Sequence, residues 1–175
     1  MSKVVLKLID DISTDTIYPG RFMATVLPEE TPQFAFADNK EFNTKLKNNE
    51  IPKGSTIVAG NNFGCGSSRE QAVSCLKGYD FIIIAKDFAR IFLQNAINLG
   101  LRVIISPDIE ADEGDEIELL REEVINKTKS KRFKIISLPK ARQNIIDAGG
   151  LVPYTRKRLR EIKNNPLKKA QVTKD

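Results

Sequence analysis

Residues 55–86 read STIVAGNNFGCGSSREQAVSCLKGYDFIIIAK, and the fold turns on how this stretch divides. STIVAG (55–60) and FIIIAK (81–86) are short apolar runs rich in β-branched residues, the pattern of strands buried on both faces. Between them, REQAVSCLKGYD repeats Ala72, Val73, Cys75 and Leu76 at helical spacing. Two strands joined through a helix must lie parallel, with a right-handed crossover.

The same pattern continues outward. VVLKLI (4–9) and RVIIS (102–106) are further strands, and DFARIFLQNAINLG sets Ile91, Phe92, Asn95 and Leu99 on one helical stripe that ends at Gly100. GDEIELL (114–120) and RFKIISL (132–138) predict a pair of later strands joined by a charged segment, and ARQNIIDAGGL predicts a short helix that stops at Gly149–Gly150. Residues 18–54, with Pro19, Pro28, Pro32 and Pro52, form an irregular excursion with one helix around EFNTKLKN. A connection that long inside a compact domain is commonly functional. The expected class is α/β: one domain over residues 1–152, with a mainly parallel sheet core flanked by helices and additional C-terminal strands. A basic helix and tail follow over 153–175.

Charge placement separates the two parts. Residues 1–152 carry 20 Lys and Arg against 21 Asp and Glu, while residues 153–175 carry 8 against 2. The net charge of +5 therefore belongs to the tail, and the body offers no basic track for a nucleic-acid backbone. No apolar run approaches the roughly 20 residues of a membrane-spanning helix. The N-terminus MSKVVLKLIDD lacks the pattern of a secretory signal, so a cytoplasmic protein is expected. The chain has no histidine and two cysteines, Cys65 and Cys75, too few ligands for an ordinary zinc or iron–sulfur site. Any metal must come from elsewhere, and any proton acceptor must be unusual.

NNFGCGSSRE (61–70) lies where the carboxyl end of a strand opens onto a helix, the usual ligand position in α/β sheets. Gly64, Cys65 and Gly66 supply bare backbone whose N–H groups can approach an anion, and Arg69 adds a guanidinium able to grip a carboxylate bidentately. Ser67 and Glu70 also stand in the S-x-x-E register of a capping box, in which the serine merely satisfies a backbone donor. The third glycine of a dinucleotide site and the lysine of a P-loop are both missing.

Four segments together resemble the small-subunit, or swivel-domain, signature of the aconitase superfamily. DDISTDTIYPGRF (10–22) is similar to its opening T-D-x-I-x-P run, NNFGCGSSREQA (61–72) to its serine loop, and KDFARIFLQNAINLGL (86–101) to the following helix. GGLVPYTRKRL (149–159) is similar to the close of the small isopropylmalate dehydratase subunits. The resemblance implies a hydro-lyase that moves a hydroxyl between adjacent carbons of a di- or tricarboxylic acid. It also implies a separate large subunit that carries a [4Fe-4S] cluster. Ser67 matches the general base, which takes the substrate proton as an alkoxide. Ser68 and Arg69 match substrate-carboxylate contacts, and Asp15 matches an acid at the site's edge, although an Asx-turn role suits it equally. Arg90 and Asn95 match family positions as well. Thr14 reads as a turn residue, Cys65 as a small filler and Cys75 as core.

Substrate choice in this family is attributed to the loop PGRFMATVLPEE (19–30). Ala24 stands where homoaconitase-type chains often place an arginine, which favours isopropylmalate, with Phe22, Met23 and Val26 as an apolar wall. Arg21 remains a candidate carboxylate contact. Gln71, in place of the histidine commonest after the SSRE run, points instead to homoaconitase and to homocitrate or citrate. Ser13 and Gln94 also depart from the common pattern. The alternative of another class is a non-catalytic module that holds an acidic metabolite.

Overall fold

β-branched side chains are stiff at χ1 and pack well on a pleated surface. In the computed structural model, which describes residues 1–164, each such run forms a strand. β1 (Ser2–Lys7), β2 (Thr56–Ala59), β3 (Ile82–Ala85) and β4 (Arg102–Ile105) pair in parallel. β5 (Glu116–Leu119), β6 (Glu123–Asn126) and β7 (Lys131–Lys134) continue antiparallel from the far side of β1. The spatial order is β4-β3-β2-β1-β5-β6-β7. Every residue of β2 and β3 is buried, whereas β1 keeps Lys3 and Lys7 exposed and β4 keeps Arg102 exposed.

Side chains alternate between two cores, as the period of a strand requires. Ile57, Ala59, Ile83, Ala85 and Val103 face the helices, while Val58, Ile82 and Ile84 join Val4, Ile117, Val124 and Phe133 in a second cluster. The sheet curls around that second cluster until its edges meet. There the Ile136 N–H donates to the Ile105 carbonyl (2.9 Å) and the Ser106 hydroxyl donates to the Lys134 carbonyl (3.0 Å).

The helical layer comprises α2 (Lys40–Lys47), α3 (Glu70–Gly78), α4 (Arg90–Leu99), α5 (Lys140–Asp147) and α6 (Leu151–Asn164), together with a single turn, α1 (Thr14–Ile17). Residues 18–54 are tied down by two 3₁₀ turns, Gly20–Phe22 and Thr31–Phe34, and by α2, which Asn39 caps at the Phe42 N–H (3.1 Å). The C-terminal helix starts at Leu151, and the tail beyond Asn164 lies outside the described residues. Among the described residues no helix is long and apolar enough to cross a membrane.

Two expectations need correction. The charged segment after β5 is itself a strand, β6, so the late strands form a three-stranded meander. Its charges are cross-strand partners: Arg132 meets Glu123 at 3.0 Å, and Lys127 meets Glu118 at 2.6 Å. In α4 the buried stripe is Phe92, Ala96 and Ile97, while Ile91 is 43% exposed. Ala96 brings the helix close to its neighbours, which a reading based on large apolar residues passes over.

Candidate active site

The carboxyl ends of β1 and β2 lie side by side, and the segments leaving them are laced together. The Asp10 carboxylate accepts from the Asn61 N–H (2.7 Å) and sits 1.9 Å from where a β-carbon on Gly60 would be. The Asp11 N–H donates to the Asn61 carbonyl (2.9 Å), and the Asn62 side-chain amide donates to the Asp11 carboxylate (2.7 Å). The Ile12 carbonyl accepts from both Gly64 (2.7 Å) and Cys65 (3.2 Å), and the Thr14 N–H donates to the Cys65 carbonyl (2.8 Å). Below the loop, Phe63 packs edge-on against Phe88 and Phe92, with centroids 5.9 and 5.1 Å away.

This lacing decides which donors remain free. The N–H groups of Gly64 and Cys65 are taken by Ile12, so they are not available to an anion. Among the described residues, the N–H groups of Gly66, Ser67 and Ser68 have no acceptor, and the exposed hydroxyls of Ser67 and Ser68 have no partner. The free donors therefore sit two residues later than the glycine spacing suggests. Ser67 is not a helix cap. α3 begins at Glu70 with Arg69 at its N-cap, and the Arg69 N–H turns back to the Ser67 carbonyl (2.8 Å).

Arg69 reaches across to the first segment. Its Nη1 donates to the Asp15 carboxylate and to the Tyr18 carbonyl (3.2 Å), and its side chain is 18% exposed. Asp15 also accepts from the Gly20 N–H (2.8 Å). The Arg69 hydrogen bond, followed by that of Gly20, holds the Asp15 carboxyl below the usual carboxylate range, so it is ionised at neutral pH. Asp15 thus does more than close an Asx turn; Ser13 caps α1 by accepting from the Thr16 N–H (3.0 Å).

The loop over residues 19–30 is organised differently. Arg21 is turned to Asp38 (2.6 Å), which raises its pKa, and lies over the Phe22 ring at 4.7 Å. Phe22 stacks on Phe34 at 4.2 Å. Met23, Ala24 and Val26 are exposed. Val26 and Gln71 border a cavity of about 760 Å³ between this loop and α3, which Thr31, Ser74 and Val152 also line. Arg90 is exposed at the start of α4 and Asn95 is half-buried. Neither has a side-chain hydrogen bond or ion pair among the described residues.

Sequence reasoning missed Thr14. It is 3% exposed, and its hydroxyl donates to the Ser67 carbonyl at 2.9 Å. The only local signal was a polar S-T-D-T run set directly before the buried Ile17 and Tyr18.

The residues present do not fit an iron–sulfur cluster. Among the described residues no three His, Cys, Asp or Glu side chains converge. Cys75 is fully buried, with its thiol pKa pushed up by that burial, and Cys65 stands alone with its Sγ 3.5 Å from the Asp11 carbonyl.

The family described as the aconitase C-terminal domain matches residues 5–107. The chain is 42% identical over 161 residues to the 3-isopropylmalate dehydratase small subunit of Thermodesulfovibrio yellowstonii, covering 89% of this chain and 93% of that one. It is 44% identical over 156 residues to the methanogen homoaconitase small subunit of Methanocaldococcus jannaschii, covering 87% and 89%. A crystal structure of 3-isopropylmalate dehydratase from that organism superposes with a TM-score of 0.82 at 40% identity, covering 93% of this chain and 98% of the other. Family match, relatives and superposed fold agree, and the chain belongs to the aconitase C-terminal domain family.

Proposed function

We propose that the chain is the small subunit of a 3-isopropylmalate dehydratase. This hydro-lyase interconverts 2- and 3-isopropylmalate by dehydration and rehydration, in leucine biosynthesis in the cytoplasm. The observation that carries the reading is the loop crest, where the unpartnered Ser67 hydroxyl stands beside unclaimed N–H groups and within two residues of Arg69.

Ser67 Oγ, as the alkoxide, takes the proton from the substrate carbon. A serine hydroxyl is far too weak an acid for this in water, so negative charge on its oxygen must be stabilised by fixed donors in a dry site. The free N–H groups of residues 66–68 are such donors. Ser68 and the guanidinium of Arg69 hold the substrate carboxylate. The crest is exposed on the isolated chain, so drying it requires a covering partner. That partner is the large subunit, which also supplies the [4Fe-4S] cluster that this chain's own residues do not fit.

Isopropylmalate suits the substrate-choice loop because Ala24 brings no charge, Met23 and Val26 offer apolar surface, and Arg21 is occupied by Asp38. A second reading, homoaconitase, is favoured by Gln71 at the cavity wall and by the homoaconitase relative. Turnover of isopropylmalate, homocitrate and citrate by the reconstituted large–small complex tests both. Wild type is expected to prefer isopropylmalate, and Ala24→Arg to move preference about 10-fold towards the tricarboxylates. Ser67→Ala should lower kcat about 1,000-fold or more with assembly intact. Unchanged turnover in that variant would refute the base, a preference for homocitrate would establish the second reading, and inactivity on all three acids would point to a binding module.

A further inference from the structure

We propose that Thr14 and Asp15 are positioning residues that set the serine and the arginine of the loop relative to each other. Thr14 acts through the Ser67 carbonyl and Asp15 through Nη1 of Arg69. The inference rests on the reading of Ser67 and Arg69 given above.

Thr14 grips the loop on both sides of Gly66. Its N–H donates to the Cys65 carbonyl (2.8 Å) and its buried hydroxyl donates to the Ser67 carbonyl (2.9 Å). Gly66 between them is left-handed, at φ +88°, and a β-carbon there would lie 3.7 Å from Thr14 Oγ1. The threonine therefore fixes the orientation of the peptide joining Ser67 to Ser68. Without its hydroxyl the Ser67 carbonyl keeps the local bond from the Arg69 N–H (2.8 Å) but loses its tie to α1, so the peptide is freer to rotate and to carry both the Ser67 side chain and the Ser68 N–H away from a common target.

Asp15 decides which edge of Arg69 is offered. The guanidinium has five N–H groups in a rigid fork. Asp15 and the Tyr18 carbonyl together take both hydrogens of Nη1. Among the described residues Nη2 and Nε have no partner, so the Nη2–Nε edge is left whole, with the two parallel donors that match a carboxylate. Asp15 is itself held by the Gly20 N–H. Gly20 also gives clearance, since a β-carbon there would stand 3.2 Å from Arg69 Nη2 and 3.3 Å from Asp15 Oδ1. A single turn, α1, thus aims a base and a carboxylate clamp that lie two residues apart in another loop.

The test is steady-state kinetics of the reconstituted complex on isopropylmalate, with assembly of every variant measured against wild type. Thr14→Ala and the volume-matched Thr14→Val should each lower kcat about 100-fold with KM within threefold, since small misplacements of a reacting group have that effect. Thr14→Ser, which restores the hydroxyl, should recover most of the loss. Asp15→Asn keeps an acceptor for Gly20 but loses the charge. It should raise KM about 10-fold with kcat within threefold, the size expected for a weakened charge-assisted contact. Wild-type kcat in Thr14→Val, equal damage in Thr14→Ser and Thr14→Val, or an unchanged KM in Asp15→Asn overturns the inference. Ser67→Ala run alongside separates the two levels, because if it remains active the reading of the site itself has failed. Should Thr14→Ala not fold, Thr14→Val and Thr14→Ser decide the threonine, and Asp15→Asn, on an exposed side chain, decides the aspartate independently.

Discussion

Gly64 and Gly66 both hold left-handed backbone, at φ +81° and +88°, yet a methyl group added at each meets different surroundings. At Gly64 it would lie 2.2 Å from Cγ of the buried Phe92, whereas at Gly66 the nearest atom is 3.7 Å away. Gly66→Ala therefore costs only the left-handed conformation, about 1–2 kcal/mol. Gly64→Ala adds overpacking against an aromatic ring and should cost about 3–4 kcal/mol in all. At about 2–4 °C per kcal/mol for a chain of this size, Gly66→Ala should lower Tm by about 2–8 °C and Gly64→Ala by about 6–16 °C. Thermal unfolding followed by circular dichroism checks the ordering, and equal shifts would mean that Phe92 moves aside. The glycines, serines and arginine of this loop were legible because each has a chemical signature of its own. The donor assignments were not, since which N–H groups are consumed depends on Ile12, fifty residues away in the chain.

Lys77 shows how the helices are locked to one another. From the last turn of α3, its ammonium donates to the carbonyls of Leu99, Gly100 (3.3 Å) and Gly149 (2.9 Å), at the ends of α4 and α5. Helix C-termini leave carbonyls unpaired and carry partial negative charge, so one cation serves both. Lys77→Met keeps the packing stem and removes the donors. It should lower stability by about 1–2 kcal/mol, read from the urea midpoint, because the site is only partly shielded from solvent. At this scale the sequence was legible wherever pattern and burial agree, as in β2, β3 and α3, whose apolar residues are all enclosed. It misled where they part. β6 has only Val124 and Ile125 to announce it among charged neighbours, and the buried face of α4 is marked by Ala96 as much as by Phe92.

Curling a sheet until its edges touch makes its stability uneven. β2 and β3 are enclosed on both faces, so their amides should exchange with solvent only through global unfolding. The seam between β4 and the segment after β7 rests on one backbone bridge and on Ser106, and should open first. Ser106→Ala is expected to speed exchange at Ile136 about fivefold while leaving Ile83 unchanged, measured by native-state hydrogen exchange. Acceleration at both positions would mean that the seam opens only with the whole domain. No sequence pattern reports such closure, because the two edges meet through backbone groups common to every residue. The parallel half was legible, since strand–helix–strand order dictates it. The rings of Phe63, Phe88 and Phe92 beneath the serine loop have a further consequence. They give the crest a hard pavement, so it can neither sink nor tilt to suit a differently shaped acid. Adjustment falls to residues 21–31, beyond the Gly20 contact with Asp15, where Phe22 stacks on Phe34. On the proposed reading, reactivity and taste rest on two aromatic foundations joined at Gly20, and new preferences can be tried beyond that joint with the alignment of the loop kept.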